Sequence, residues 1–302
     1  MMDRGKVLVV YHRVDYDGLF SGMITRKFLE DSGYNVTYFA YNYGEDLTQN
    51  PDDFDSVFLV DISLSPELMM RYSDKIIWID HHITAIETSE ENGYDKIRGI
   101  RTIGTAACEL CWNYFYPNFQ IPLIVSYIGA YDVWNKDKYD WENEVVPLQK
   151  ALRATLGMSM DSFYPVFTAD PNNMPLEDLF GVGRTIKSYE DYGSKSAVKN
   201  YGFPITVAGK YKGIAMLTHS FGSGIFSSVL NDYDIYVVLN KKNGQNGPQY
   251  TLSMYSEPGR VPEFNIGAYL KSFGLGGGGH ATAGGSTITE DQFFAVIKDG
   301  KI

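Results

Sequence analysis

Three segments of the sequence concentrate aspartate and histidine directly after short runs of β-forming residues. The segments are His12-Arg13-Val14-Asp15-Tyr16-Asp17, then Asp61, then Asp80-His81-His82. Mixed imidazole and carboxylate ligands suit Mn²⁺, Fe²⁺, Co²⁺ or Zn²⁺. Two such ions about 3.5–4 Å apart can hold a phosphoryl group and lower the pKa of a water molecule from about 15.7 toward 7. The residue types therefore predict a two-metal hydrolytic site in which one carboxylate bridges both ions.

Each segment taken alone also has a simpler explanation. Asp15 and Asp17 could belong to a turn and a helix cap, positions that aspartate favours. Asp61 could be a cap before Pro66, and His81-His82 could be part of a polar loop. The occurrence of all three segments at the ends of predicted strands favours a metal site over capping. Asp61 follows the strand that lies between the other two along the chain, so it is the expected bridging ligand.

Alternating strands and helices must position these residues. Strands are predicted at residues 6–11, 35–40, 56–60 and 75–79, and helices at 18–32, 105–116, 122–131, 145–156 and 158–167. This alternation predicts a parallel sheet. Ligands of open parallel sheets bind beyond the carboxyl ends of the strands, which is where the aspartate and histidine residues occur.

The pattern changes after a helical stretch at residues 176–200. Strands are predicted at 205–208, 213–218, 235–240, 250–255 and 283–288, helices at 264–272 and 290–297, and turns at Lys242-Asn243-Gly244 and Asn246-Gly247-Pro248. The fold class is thus predicted as α/β, with a parallel-sheet domain at 1–175, a helical connector at 176–202 and a smaller mixed α+β domain at 203–302. The boundary is expected near Gly202-Phe203-Pro204, where glycine and proline end the connector.

Charge and composition limit the classes of partner. The 302 residues carry a net charge of −11, with 8 basic and 7 acidic residues in 205–302 against 18 and 30 in the rest. An extended nucleic-acid interface needs a basic surface, so none is expected. The apolar run at residues 7–11 is too short for a signal peptide or a membrane span. Cys108 and Cys111 form a CxxC in an apolar helix, interpreted as buried thiols, and so few cysteines fit a cytoplasmic protein.

These motifs, in this order, resemble those of the DHH superfamily of phosphoesterases. His12-x-x-Asp15-x-Asp17-Gly18, Val60-Asp61 and Asp80-His81-His82 are similar to its first three motifs, although the spacing from His12 to Asp15 is one residue shorter than in some members. Gly104-Thr105-Ala106-Ala107 resembles the helix start that follows, and Ile128-Gly129-Ala130-Tyr131-Asp132 resembles the fourth motif. The segment from Gly276 to Gly284 resembles the glycine-rich signature of the DHH-associated domain.

The resemblance implies a role for each matching residue. His12, Asp15 and Asp61 would hold one metal ion, and Asp17, Asp61, His81 and Asp132 the other, with Mn²⁺ as the usual ion. His82 would contact the scissile phosphate, and Asp80 would orient a ligand. Gly277, Gly278, Gly279, His280 and Arg260 would bind substrate, with the active site in the cleft between the domains. The glycine run alone could also be a flexible linker, although glycine does let a backbone approach an anion closely.

The resemblance also implies an activity, because members of this superfamily with the compact two-domain form degrade very short RNAs, linear dinucleotides or 3′,5′-bisphosphorylated adenosine. We expect an exonuclease or phosphodiesterase that cleaves very short RNAs or linear dinucleotides, with two divalent ions and no membrane or extended nucleic-acid partner. A phosphatase acting on polyphosphate or on 3′,5′-bisphosphate nucleotides is the alternative. A nucleotide-binding regulator without activity is a third hypothesis, disfavoured by the complete set of metal ligands. The sequence permits a homodimer but does not determine the oligomeric state.

Overall fold

A computed structural model describes residues 4–218, 223–244, 247–272 and 277–302. The chain forms two compact units, Met1–Ile186 and Lys187–Ile302. The division falls inside a single helix, Leu176–Tyr201, which covers the stretch predicted as a connector. Among the described residues, no helix is both long and apolar enough to cross a membrane.

The first unit contains a four-stranded parallel sheet with the order β2-β1-β3-β4. Its strands are β1 (Lys6–His12), β2 (Asn35–Tyr41), β3 (Ser56–Val60) and β4 (Ile76–Ile79). Its helices are α1 (Tyr16–Asp31), α2 (Pro66–Arg71), α3 (Ile83–Asn92), α4 (Ala107–Phe115), α5 (Leu123–Asp132), α6 (Val146–Thr155), α7 (Met160–Ala169) and the start of α8 (Leu176–Tyr201).

Both faces of this sheet are buried, and the strand sequences show why. Successive side chains of a strand point to opposite faces, so β1 contributes Val7 and Val9 to one hydrophobic core and Leu8 and Val10 to the other. All four side chains are at most 1% exposed. A parallel sheet covered on both faces requires such continuous apolar strands, and it leaves the strand ends as the natural place for polar residues.

The second unit contains a mixed six-stranded sheet with the order β5-β6-β7-β8-β10-β9. Its strands are β5 (Phe203–Val207), β6 (Tyr211–Leu217), β7 (Ile235–Gly244), β8 (Gly247–Tyr255), β9 (Gly278–Gly279) and β10 (Ala283–Ile288), and its short helices are α9 (Ile266–Lys271) and α10 (Glu290–Asp299). Among the described strands of this second sheet, only β6 and β7 pair in parallel. A capping box between Thr289 and Gln292 begins α10.

The α/β fold class is confirmed, and four local comparisons with the sequence prediction stand out. The turn predicted at 242–244 is wrong, because β7 continues to Gly244, which pairs with Gly247. The turn predicted at 246–248 is wrong for Gly247 and Pro248, which belong to β8, and Asn246 lies outside the described residues. Helices α2 and α3 were not predicted from the sequence. The interpretation of Cys108 and Cys111 is confirmed, since both thiols are free and buried.

Candidate metal centre

The carboxyl ends of three neighbouring strands bring the predicted ligands together. His12 is the last residue of β1, Asp61 follows β3, and Asp80 follows β4. Since β1, β3 and β4 are adjacent and parallel, these ends meet at one edge of the sheet. Helix α1 begins after Asp15 at the same edge and places Asp17 in its first turn.

The first group of candidate ligands is His12, Asp15 and Asp61. His12 Nδ1 lies 3.0 Å from Asp15 Oδ2 and 3.4 Å from Asp61 Oδ2. The other ring nitrogen, His12 Nε2, lies 3.3 Å from Asn42 Oδ1 and can donate to it. That contact would keep the proton on Nε2 and leave the Nδ1 lone pair for a metal ion. The shorter His12–Asp15 spacing therefore does not keep His12 out of the cluster.

The second group surrounds His81. His81 Nε2 lies 3.4 Å from Asp17 Oδ2, 3.3 Å from Asp132 Oδ2 and 3.3 Å from Asp61 Oδ1. Asp61 thus directs Oδ2 toward His12 and Oδ1 toward His81, which is the arrangement required of a carboxylate that bridges two ions. Asp132 reaches this group as the last residue of α5.

Burial and hydrogen bonding show that these residues fit metal ions. Candidate ligand atoms lie within 4.8 Å of one another in the groups His12–Asp15–Asp61, Asp17–His81–Asp132 and Asp61–His81–His82. His12 Nδ1 and Asp61 Oδ1 are buried and have no hydrogen-bond partner among the described residues. Buried polar atoms in proteins are nearly always satisfied, so two unsatisfied atoms at one place require an explanation. Divalent cations between the carboxylates would supply it.

The amino terminus of α4 holds Asp17 in place. The backbone N–H groups of Ala107 and Cys108 donate to Asp17 Oδ2 and Oδ1 over 2.8 and 2.7 Å. The N–H groups in the first turn of a helix have no partner within the helix, and they favour a carboxylate. Ala106 and Ala107 are fully buried, so the small residues of the Gly104–Ala107 motif let this helix end approach the metal centre.

Asp80 contacts the ring of His82 and the backbone of both histidines that follow it. Asp80 Oδ1 accepts hydrogen bonds from His82 Nδ1 at 2.8 Å and from the backbone N–H of His81 and His82, while Oδ2 accepts from Trp78 Nε1 at 3.0 Å. The Asp80 side chain is fully buried. It therefore fixes the orientation of the His82 ring, which is partly exposed at the edge of the cluster.

The crowding of carboxylates changes their proton affinities in the metal-free protein. Burial and the charge of Asp17 raise the pKa of Asp61 well above its usual value, and burial with the charges of Asp17 and Asp61 raises the pKa of Asp132 likewise. Burial also raises the pKa of Asp17. Burial opposes a charge on His12, yet the carboxylates of Asp15 and Asp61 outweigh it and raise its pKa to about 10. Metal ions would replace these protons.

The backbone at Asp61 is strained. Its φ of +60° lies in the left-handed region, which only a few per cent of non-glycine residues adopt, with aspartate and asparagine enriched. Its N–H still donates to Ile79 O at 2.9 Å, so the sheet pairing continues to this point. Such strain occurs at functional sites where the surrounding structure enforces it, and the carboxylate of this residue lies near both His12 and His81.

Two residues at this edge were not predicted from the sequence. Asn42 contacts His12, and the ring of Tyr43 lies 5.8 Å from that of His12 and 6.3 Å from that of His82, edge-on to both. Both residues directly follow β2, the strand next to β1. A search of the residues that follow every predicted strand, β2 included, would have found Asn42 and Tyr43. They were missed because neither residue type is a typical metal ligand.

The predicted substrate residues lie in the second unit. Gly277 packs against α9, since a Cβ there would lie 2.2 Å from Leu270 O, and Gly279 has a φ of +140°. His280 is exposed and shares backbone hydrogen bonds with Gly267 and Ala283. Arg260 contacts Asp234 Oδ1 at 3.3 Å and Asn231 O at 3.2 Å. Close packing thus accounts for some of the glycines, and Arg260 already has protein partners.

Gly18 provides a test of how tightly α1 packs on the metal centre. A Cβ at Gly18 would lie 2.2 Å from His12 O and 2.6 Å from His12 Cβ. We expect Gly18→Ala to displace His12, lower the free energy of unfolding by roughly 1–3 kcal/mol and weaken Mn²⁺ binding. Thermal unfolding and isothermal titration calorimetry would measure both. Gly181→Ala, with no atom within 4 Å of the added Cβ, is the control, and wild-type Mn²⁺ affinity in Gly18→Ala would contradict the prediction.

Comparison with known proteins extends the description of the fold. No protein-family model matches the sequence, and no curated protein matches it. The structure is similar to a pGpG-specific phosphodiesterase, PggH, from Vibrio cholerae (TM-score 0.59, 14% identity, 97% of each chain covered). It is also similar to the DHH domain of a protein assigned to a family of ribosomal proteins (TM-score 0.62, 12% identity, 97% of this chain and 86% of that chain).

A third similar structure is RecJ from Thermus thermophilus in complex with Mn²⁺ (TM-score 0.57, 15% identity, 96% of this chain and 50% of that chain). At these identities the similarity establishes a shared fold. The protein therefore shares its fold, over nearly its whole length, with these proteins, one of which is a DHH domain, in agreement with the resemblance in the sequence motifs.

Proposed function

We propose that this protein is a metal-dependent phosphoesterase that hydrolyses very short RNAs or linear dinucleotides to mononucleotides. One observation carries the proposal: the two carboxylate oxygens of Asp61 face two separate groups of histidine and aspartate side chains. The DHH fold, shared with a pGpG-specific phosphodiesterase and with RecJ, supports the same class of chemistry.

The proposed metal ligands are the six residues predicted from the sequence. His12, Asp15 and Asp61 would hold one ion, and Asp17, Asp61, His81 and Asp132 the other, with Mn²⁺ as the expected metal because the similar RecJ structure binds it. Two such ions would stabilise negative charge on the phosphoryl oxygens and supply a nucleophile at neutral pH.

His82 is the proposed protein group that contacts the reacting phosphate. Burial lowers its pKa, but the hydrogen bond to Asp80 and the charge of Asp61 outweigh this and raise the pKa above its usual value. Its Nδ1 contacts Asp80, which leaves Nε2 to donate to a phosphoryl oxygen or to the leaving oxygen. A proton held there would favour departure of the leaving group.

The glycine-rich segment is the proposed phosphate-binding loop of the second unit. Neither packing nor a positive φ requires glycine at position 278, in contrast to Gly277 and Gly279. The nearest atom to a Cβ added at Gly278 is Lys271 Cε, at 4.0 Å. We therefore assign Gly278 to ligand contact, together with Gly277, Gly279 and His280. Arg260 could contact the ligand only if its side chain gave up the contact with Asp234.

Substitutions of single glycines distinguish ligand binding from packing. We expect Gly278→Ala to keep wild-type stability but to raise the KM for a dinucleotide about tenfold, because the methyl group occupies space that the ligand needs. Gly279→Ala should instead lower the melting temperature, since its Cβ would lie 2.4 Å from Ala283 O. Gly285→Ala, with only ordinary contacts, is the matched control. An unchanged KM in Gly278→Ala would remove the segment from the binding site.

A substrate panel tests the proposed activity directly. The purified protein would be incubated with Mn²⁺ and, separately, with pGpG, a 5′-labelled trinucleotide, a 24-nucleotide RNA, adenosine 3′,5′-bisphosphate and inorganic polyphosphate, with products separated by chromatography. We expect mononucleotides from the dinucleotide and trinucleotide and slow or no cleavage of the long RNA. Phosphate release from polyphosphate or the bisphosphate without dinucleotide cleavage would favour the alternative phosphatase. Dinucleotide binding without turnover under any divalent metal would favour a regulator.

A further inference from the structure

Three aromatic side chains cluster around the end of α5, whose last residue is the candidate ligand Asp132. The rings of Tyr131 and Trp141 are nearly parallel, at 6° and 5.6 Å between centroids, and Trp134 lies 6.4 Å from Tyr131 and 5.6 Å from Trp141. Trp134 is 55% exposed and Tyr131 is 36% exposed. We call these three residues the aromatic platform. The other two tryptophans, Trp78 and Trp112, are buried in the hydrophobic cores.

The platform is rigidly attached to a candidate metal ligand. Tyr131 and Asp132 are consecutive residues at the end of α5. The Trp134 N–H donates to Tyr131 O, and the Asn135 N–H donates to Ala130 O at 2.9 Å, which folds the following turn onto the helix end. Trp134 has a φ of +54°, a genuine outlier for a bulky residue. The fold therefore holds a large apolar ring at the surface in a conformation that local preferences disfavour.

One cationic side chain, Lys136, lies against the platform. Lys136 Nζ lies 5.2 Å from the ring centre of Trp134 and 5.7 Å from that of Trp141. A cation over a tryptophan face is attracted by the ring and strengthens stacking of a further π system. An inorganic polyphosphate has no group that would use the exposed rings, whereas a nucleotide has both a phosphate and a base.

We propose that Tyr131, Trp134 and Trp141 form a nucleobase-stacking subsite of the metal centre, with Lys136 contributing positive charge. The proposal rests on the proposed phosphoesterase function and specifies its substrates as nucleotides rather than inorganic phosphates. The base of a nucleotide is separated from its phosphate by one sugar, and the platform is separated from Asp132 by one peptide bond. The proposed position of the base on the rings rests on this adjacency of Tyr131 and Asp132 at the end of α5. Stacking accepts any base, because every base has a π face.

Binding without turnover provides the first test. In the presence of a chelator, adenosine is titrated into the protein while tryptophan emission is recorded, with ribose as the base-free probe. We expect adenosine to quench the emission and ribose to have no effect. Trp134→Ala should weaken adenosine binding roughly tenfold, the size expected for one lost base–aromatic stack. Trp134→Phe, which keeps a ring, and Tyr189→Ala, which removes an 81% exposed tyrosine elsewhere, should bind within twofold of wild type.

Kinetics provide the second test. With Mn²⁺ and a linear dinucleotide, Trp134→Ala should raise KM about tenfold and keep kcat within twofold, because the ring contacts the base and not the reacting phosphate. Absence of hydrolysis by the wild type would reject the proposed function, yet the adenosine titration would still decide on stacking. Hydrolysis without adenosine quenching would reject the subsite alone.

A second copy of the chain is the competing occupant of the platform. Sedimentation velocity on wild type and Trp134→Ala distinguishes the two. We expect the same sedimentation coefficient for both proteins. A wild-type dimer that Trp134→Ala converts to a monomer would identify the platform as a self-association surface and overturn the proposal.

Discussion

Replacing Asp61 with asparagine is expected to reduce hydrolysis of a dinucleotide by a factor of about 10³ or more. Asp61 is the residue whose two oxygens face both ligand groups, at 3.4 Å from His12 and 3.3 Å from His81. A neutral amide cannot offer two anionic oxygens, so both ions would be held weakly. The metals are expected to supply several kcal/mol of transition-state stabilisation, and each 1.36 kcal/mol corresponds to a tenfold change in rate.

Asparagine is the informative substitution because it tolerates the left-handed backbone of Asp61 as well as aspartate does. The variant should therefore fold, which thermal unfolding would verify, while its Mn²⁺ content by elemental analysis should fall. Asp74→Asn, at an exposed position in the same unit, is the matched control and should retain wild-type activity. Wild-type turnover by Asp61→Asn at saturating Mn²⁺ would show that this carboxylate does not bridge the ions.

Removing the metal is expected to abolish activity and to make the stability of the protein fall as the pH rises. Burial and neighbouring charges raise the pKa of Asp17, Asp61 and Asp132 from an ordinary 3.8. Burial alone would lower the pKa of His12, but the carboxylates of Asp15 and Asp61 outweigh burial and raise this pKa from 6.5 to about 10. The folded metal-free protein then binds more protons than the unfolded chain above about pH 4. The free energy of unfolding therefore decreases toward pH 10.

The lowered pKa values in the cluster do not reverse this trend. Burial alone would raise the pKa values of Asp15 and Asp80, but the contact with His12 lowers the pKa of Asp15 and the contact with His82 lowers the pKa of Asp80. The stability that these two carboxylates contribute is therefore complete above their ordinary pKa of 3.8 and is lost only at lower pH. Between pH 5 and 9, the groups with raised pKa values dominate. Urea unfolding of chelator-treated protein at several pH values would measure the slope, and equal stability at pH 6 and pH 9 would contradict the prediction.

Adding Mn²⁺ should reverse the loss of stability and release protons. At a hundredfold excess over Kd, binding contributes about 2.7 kcal/mol, which corresponds to a rise in melting temperature of about 5–10 °C for a unit of this size. Calorimetry in two buffers of different ionisation enthalpy would count the released protons. Asp61→Asn should show a smaller rise and Asp74→Asn the full one. A melting temperature that does not respond to Mn²⁺, Co²⁺ or Zn²⁺ would exclude the metal site.

Much of the first unit could be predicted because it follows from local patterns. Apolar runs such as residues 56–60 form buried strands wherever they occur in a parallel sheet, and that strand was predicted with its observed bounds. The alternation of strands and helices then places the strand ends at one edge. This is why His12, Asp61 and His81 could be predicted as neighbours before any distance was known.

Other features depended on contacts between distant parts of the chain. Asp17 is held by the amides of residues 107 and 108, and no pattern within α1 indicates that partner. Gly244 continues β7 although Lys242-Asn243-Gly244 reads as a turn, because cross-strand pairing with β8 outweighs local turn preference. The roles of Asn42 and Tyr43 likewise come from the position of β2 beside β1.

The sequence by itself thus determined which residue types could bind metal ions and at which end of the sheet they lie. Only the tertiary structure decided how those residues face each other: which oxygen of Asp61 points to which histidine, that Asp80 orients His82, and that Tyr131, Trp134 and Trp141 meet beside Asp132. The physical reason is that secondary structure follows from the order of neighbouring residues, whereas the direction of a side chain is set by what packs against it.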